Sequence, residues 1–304
     1  MEEDPLASEK QKSQSLKAEE TMSKLSPSLK ALINAPFARP GPTAAPSHIR
    51  DVYQTIARDA ATKNVGAKPW LAISAAATFT LNSPDSLQSL FQVASASNRP
   101  SPVETAEFIR EVGLKCISFN GIPRTINCLN AFHASLPADV AANLETRPTR
   151  APTAHNIDGV AARGQSLWDS IYAPFEAKLY GKLARSHPDL PVHILHSHYA
   201  GLLSDPRERG GLASVGRVLT SVVAISCLRA QSGVGPQVLS HVFGLRKGLE
   251  DGTFEADRRE DVEGARWLAS DEGSEWIIKT VDRITEAIGG PARTNFAPGR
   301  ESKL

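Results

Sequence analysis

Residues 103–132 read VETAEFIREVGLKCISFNGIPRTINCLNAF, and this stretch decides the fold class. Phe108, Val112, Cys116 and Phe119 recur at three- and four-residue spacing, which places them on one face of a helix. Pro102 stands near the start, Glu104 and Glu107 complement the positive end of the helix dipole, and Gly121 with Pro123 stops the helix. Ile122, Ile126, Leu129 and Phe132 then repeat the spacing, predicting a second helix with those four residues in the core.

The same period extends outward in both directions. Before this stretch, Val52, Ile56, Trp70, Ile73 and Ala77 keep three- and four-residue spacing, and strand-like alternation is scarce. After it, residues 137–157 are rich in Pro, Ala, Thr and Asn and read as a connecting loop. A long amphipathic helix is expected near 160–186, followed by helical segments near 190–203, 213–231, 236–247, 261–270 and 273–287. The expectation is an all-α bundle. Its organisation is a loosely packed or disordered N-terminal segment (1–45), a first unit (46–136), the loop (137–157), a long helix plus second unit (158–288) and a flexible tail (289–304).

The chain has 304 residues, 41% of them hydrophobic, enough to bury a substantial core. Lys and Arg (34) nearly balance Asp and Glu (33), so no field of one sign favours nucleic acid or an anionic membrane. No apolar run approaches the roughly 20 residues that span a bilayer. Cys116, Cys128 and Cys227 are too widely spaced for a Cys-x-x-Cys pair, and neither a disulfide framework nor a structural zinc site is expected. There is no apolar leader at the N-terminus, and its acidic residues argue against a mitochondrial presequence. The last three residues, Ser302-Lys303-Leu304, read as a signal for a peroxisomal import receptor and predict a matrix protein.

The two halves share a pattern. KPWLAISAAATFTLNSPDSLQSLFQVAS (68–95) and RVLTSVVAISCLRAQSGVGPQVLSHVFGLRKG (217–248) each give an apolar Ala-containing helix, a turn with proline and an amphipathic helix. A helix with an acidic start completes the unit at 103–120, and SDEGSEWIIKTVDRI (270–284) is its looser equivalent.

Residues 229–248 resemble the central motif of the carboxymuconolactone decarboxylase and alkylhydroperoxidase-D (AhpD-like) superfamily, in which a turn precedes Ser-His-Val at a helix start. Residues 103–132 resemble that superfamily's closing motif, and the segment HPDLPVHILHSHYAGLLSDP (187–206) is similar to the two-repeat fungal members with peroxisomal signals. The resemblance implies a helical bundle of two pseudo-symmetric repeats, a habit of forming homo-oligomers, a dimer here, and a small buried site. Carried over position by position, its peroxidase cysteines fall on Val234 and Gln237, its histidine on His241 and its glutamate near Ser221. Only the histidine is present, so the thiol peroxidase cycle has no nucleophile.

His241 is therefore the candidate catalytic residue, able to move a proton on a small organic acid. The competing reading makes it a core histidine that satisfies one buried hydrogen bond. Arg124 and Asn120, near the corner at Gly121, are candidates to hold a carboxylate, and His196 to reach the same pocket. At about 100° per residue His193 and His196 share a face while His198 points away, so these histidines do not predict a metal site. The Trp168, Tyr172 and Tyr180 stripe predicts core or a subunit interface, and no organic cofactor is implied. Three functions compete: decarboxylase-type or lyase acid–base chemistry, a non-catalytic metabolite- or protein-binding descendant, and peroxide handling through Cys116 or Cys227.

Overall fold

The computed structural model describes residues 25–97, 100–253 and 264–290. Ser302-Lys303-Leu304 lies outside the described residues. The described part is all-helical, without a strand. The chain divides into two compact units at Pro42 and Thr43.

In the first unit, α1 (Pro27–Ile33) opens on Ser26, whose Oγ accepts the Leu29 N–H at 3.2 Å. Leu29, Leu32 and Ile33 are exposed.

The second unit begins with α2 (Ile49–Thr62), which buries Ile49, Tyr53, Ile56 and Ala60 along one stripe. In α3 (Ala67–Thr80) every residue from Pro69 to Thr80 is buried, because its alanines and apolar side chains run all the way round. α4 (Pro84–Ala94) turns back after Asn82, a left-handed residue at φ 54°. α5 (Pro102–Asn120) starts with a capping box: Ser101 Oγ accepts the Glu104 N–H, and the Glu104 carboxylate accepts the Ser101 N–H. α6 (Ile122–Ser135) and the short α7 (Ala138–Ala142) follow, the latter inside the stretch read from sequence as a loop. Ile122 and Ile126 point to solvent, contrary to the core expected for them; Cys128 and Phe132 carry the buried face.

The long helix expected near 160–186 is two helices, α8 (Ile157–Tyr172) and α9 (Glu176–Ser186). Pro174 breaks it, since proline has no N–H and disfavours helical backbone in the residue before it. α10 (Asp189–His193) runs into a π-helix, Ile194–Leu203, ten residues long. The wide i to i+5 turn is visible at its end, where Ser204 N–H bonds Tyr199 C=O at 2.9 Å. α8 lies hard against it: a side chain on Gly164 would meet the Ala200 Cβ at 2.4 Å, so only glycine fits. Trp168, Ile171, Leu195, Tyr199 and Leu203 form a satellite core between these helices.

α11 (Gly216–Gln231) is buried from Arg217 to Leu228. It packs on α3 at the centre, and α5 covers both. α12 (Gly235–Glu250) folds back along α11 and α8. After the four-residue α13 (Ala265–Leu268), α14 (Asp271–Gly289) closes the bundle against α3 and α11, its buried face built from Trp276, Ile277, Val281, Ile284 and Ile288. Full burial of an Ile or Leu contributes about 1.5–3 kcal/mol, and α3 and α11 bring Leu71, Ile73, Leu219 and Ile225 to the core in this way. Among the described residues no helix is long and apolar enough to cross a membrane.

Candidate functional site

Arg217 sits in the first turn of an otherwise apolar helix, and its burial needs an explanation. The start of α11 is fixed from behind. Asp205 accepts the Val215 and Gly216 N–H groups at 2.9 and 2.7 Å, and the fully buried Lys115 ammonium pairs with the same carboxylate at 2.8 Å. Burial alone would raise the Asp205 pKa, but Lys115 and the backbone donors hold it below its ordinary value.

From that anchor the guanidinium spreads over neutral oxygens. Nε donates to Ser170 Oγ at 2.7 Å, Nη1 to Ser221 Oγ at 2.8 Å, and Nη2 to the Ser170 and Gly244 carbonyls at 2.9 and 2.7 Å. α12 makes room by giving up side chains. A Cβ at Gly248 would come within 3.3 Å of the guanidinium, and one at Gly244 within 2.8 Å of the Ile171 side chain.

His241 lies one turn before Gly244 and is buried. Phe119 and Tyr172 stand edge-on to its ring, each at 6.1 Å. Burial first, and the Arg217 charge second, lower its pKa to about 4, so the imidazole is neutral at physiological pH. Its Nδ1 is buried without a hydrogen-bond partner. Beyond Tyr172, the hydroxyls of Tyr172 and Tyr199 bond each other at 2.8 Å, and Trp168 stacks against both rings. This aromatic cluster is consumed inside the chain, and Tyr180, on α9, joins its margin.

Beside the guanidinium opens a cleft of about 820 Å³. Arg163, Arg217 and Lys247 border it with Asp169 and Asp205, and Ser166, Ser170 and Thr220 are among the hydroxyl-bearing residues that line it. Arg217 thus touches both the cleft and the surroundings of His241, whereas His241 does not border the cleft.

The other sequence candidates are elsewhere. Asn120 and Arg124 do come together, but on Thr80 at the end of α3: Thr80 Oγ1 donates to Asn120 Oδ1 at 3.1 Å, and Arg124 Nη1 donates to the Thr80 carbonyl. Their work is to close a helix C-terminus, where a cation also complements the dipole. His196 is exposed. His198, which α-helical spacing turns away from His193, is half-buried, bonds Ser118 Oγ at 3.1 Å and stands edge-on to His193 at 5.1 Å. The π-helical turn explains it: widening the turn brings residues five apart onto one face, where the α-helical rule separates them. Among the described residues no three metal-ligating side chains are grouped.

Val234 and Gln237 bring no thiol to the start of α12. The nearest sulfurs to one another are Cys116 and Cys227, 3.5 Å apart in the centre of the bundle. Burial, and then the neighbouring Cys227, push the Cys116 thiol well above its ordinary pKa, which removes the thiolate that peroxide chemistry requires. Sequence reasoning missed Arg217 and Lys115, both charged residues inside apolar helical stripes; the Gly244 and Gly248 spacing on α12 was the available signal.

No family model, curated protein or solved structure matches the chain.

Proposed function

We propose that this protein is a non-catalytic, ligand-binding descendant of the AhpD-like (carboxymuconolactone decarboxylase-like) superfamily, acting in the peroxisomal matrix and holding a small organic acid in the cleft bordered by Arg217. The order of elements supports the two-repeat reading: α3–α4 followed by α5 in one half and α11–α12 followed by α14 in the other, with α3 against α11. Ser302-Lys303-Leu304 supports the compartment.

One observation carries the choice of binding over catalysis. Ser221, where the resemblance expects a glutamate, is bonded to a buried arginine that is spread over four oxygens, and the histidine beside it is enclosed by aromatic rings. A base with a pKa near 4 has little strength at neutral pH. The cleft suits a carboxylate instead, with Arg163, Arg217 and Lys247 for charge and serine and threonine hydroxyls for further hydrogen bonds. Leu239 and Phe243, exposed one turn apart on α12, offer apolar area for a homodimer.

A second reading, decarboxylase or lyase chemistry through His241, is favoured by its unpartnered Nδ1. Calorimetric titration with small mono- and dicarboxylic acids, with each ligand followed by proton NMR, separates the two. Binding is expected to saturate and the ligand spectrum to stay unchanged for hours, with Lys247→Ala weakening affinity about tenfold. Conversion of the acid that disappears in His241→Gln would make the protein an enzyme. Removal of residues 302–304 from a reporter fusion is expected to leave it outside peroxisomes.

A further inference from the structure

The π-helix brings together two side chains that an α-helix would keep apart. We propose that His193 and His198 bind one divalent transition-metal ion of the zinc and copper class. Neither residue borders the Arg217 cleft, so this site is separate from the one that holds an organic acid.

In an α-helix, histidines four residues apart share a face and can chelate one metal. An i to i+5 turn shifts that spacing to five, and His193 leads into the π-helix while His198 stands five residues on. Their ring centroids are 5.1 Å apart. A metal about 2.0–2.1 Å from a ring nitrogen lies about 3.2 Å from that ring's centroid, so a tetrahedral angle places two such centroids about 5.2 Å apart. The observed spacing matches a shared tetrahedral ion.

One nitrogen of each ring already has a partner. His193 Nδ1 bonds Ser197 Oγ and His198 Nδ1 bonds Ser118 Oγ, each at 3.1 Å. A metal-binding histidine commonly donates its second ring N–H to a neighbour, which fixes the ring and leaves the lone pair on the other nitrogen. With the proton on Nδ1, facing serine, Nε2 is the ligand atom in both rings. Ser118 belongs to α5, so the His198 ring is held from a second helix. Burial first, and then His193, lower the His198 pKa, which keeps this imidazole in the neutral form that a metal requires. His193 is exposed, and an ion can reach it from solvent.

The two imidazoles also select the ion. Nitrogen donors suit zinc, copper and nickel, whereas magnesium and calcium take oxygen ligands. Two protein ligands leave the other positions to water, so the ion exchanges and the site is not a closed structural centre.

The full chain, first treated with a chelator, is titrated with Zn2+ by calorimetry and by nitrogen NMR of its imidazoles. Saturable binding is expected, with the Nε2 resonances of His193 and His198 shifting together, and Mg2+ and Ca2+ without effect. His193→Gln and His198→Gln are each expected to weaken Zn2+ binding about tenfold or more, and His196→Gln, an exposed histidine of the same segment, to leave it unchanged. His193 is exposed, so its replacement spares the core and decides the question by itself. Zn2+ affinity unchanged in His193→Gln overturns the proposal. Shifts spread equally over His196 and the other exposed histidines would show an adventitious ion only, which also refutes it.

Discussion

α3 and α4 in the first half and α11 and α12 in the second are both helix pairs that bury an almost complete inner helix, yet they bury different chemistry. Inside the first pair the buried polar side chains are neutral hydroxyls: Thr78, Thr80 and Ser86 are bonded while Ser74 Oγ has no partner, and α4 contributes Leu87, Leu90 and Phe91. Inside the second, α11 contributes a guanidinium and α12 offers His241, Gly244, Leu245 and Gly248. Charge enters where the neighbouring helix gives up side-chain volume and exposes a carbonyl. A functional site can then occupy one pair while its counterpart remains plain core.

Arg217→Met should break that contrast most severely. It removes the donors from the Gly244 carbonyl, the Ser170 carbonyl and Ser221 Oγ together, and leaves buried acceptors without partners. Loss of a buried, multiply bonded cation is expected to cost on the order of 3–5 kcal/mol by urea denaturation. Arg217→Lys should not rescue it, because an ammonium cannot span four oxygens in the plane of a fork. A loss below about 1 kcal/mol would mean that the second pair is no different from the first.

The next effect depends on pH. The His241 pKa is about 4 in the folded chain against 6.5 for the free side chain, so above pH 6.5 its proton makes no difference to stability. As pH falls from 6.5 towards 4 the unfolded chain takes up the proton first, and stability drops. The gap corresponds to about 3 kcal/mol by linkage. His241→Phe should flatten this part of the stability profile, and an unchanged slope in the variant would show that the imidazole is not held neutral. No titrating residue occupies the inner face of α4, so substitution of Leu90 should leave the slope as it is.

The helical class was legible because apolar spacing at 103–132 leaves no other period, and the start of α5 because Pro102 is followed by Glu104 and Glu107. The π-helix was not. Its residues have ordinary helical composition, and the 100° rule then assigns His193 and His198 to different faces. Arg217 was hidden for another reason: its acceptors at Ser170 and Gly244 are 47 and 27 residues away, and no local pattern encodes a carbonyl on a different helix. His241 was singled out only through the resemblance of residues 229–248; the depth of its burial depends on Phe119 and Tyr172, which lie outside that stretch. Asn120 and Arg124 were read from their nearness to the corner at Gly121, and sequence could not show that Thr80 of another helix lies between them.

The smallest effect tests the plain side of the comparison. Thr78 Oγ1 donates its proton to the Ser74 carbonyl at 2.7 Å, so the 2.7 Å contact with Tyr53 must be donated by the phenol. Tyr53→Phe removes that donor and leaves one lone pair of a hydroxyl empty, while the ring continues to fill the same fully buried space. Such a loss is expected to cost about 0.5–1.5 kcal/mol by urea denaturation, because the remaining hydroxyl keeps its own bond. No charge is stranded, and the acceptor that loses its donor, Thr78 Oγ1, keeps its own bond to the Ser74 carbonyl. If Tyr53→Phe proved as costly as Arg217→Met, the hydroxyls of the first pair would be as demanding as the cation of the second, and the chemical asymmetry of the two halves would have no energetic counterpart.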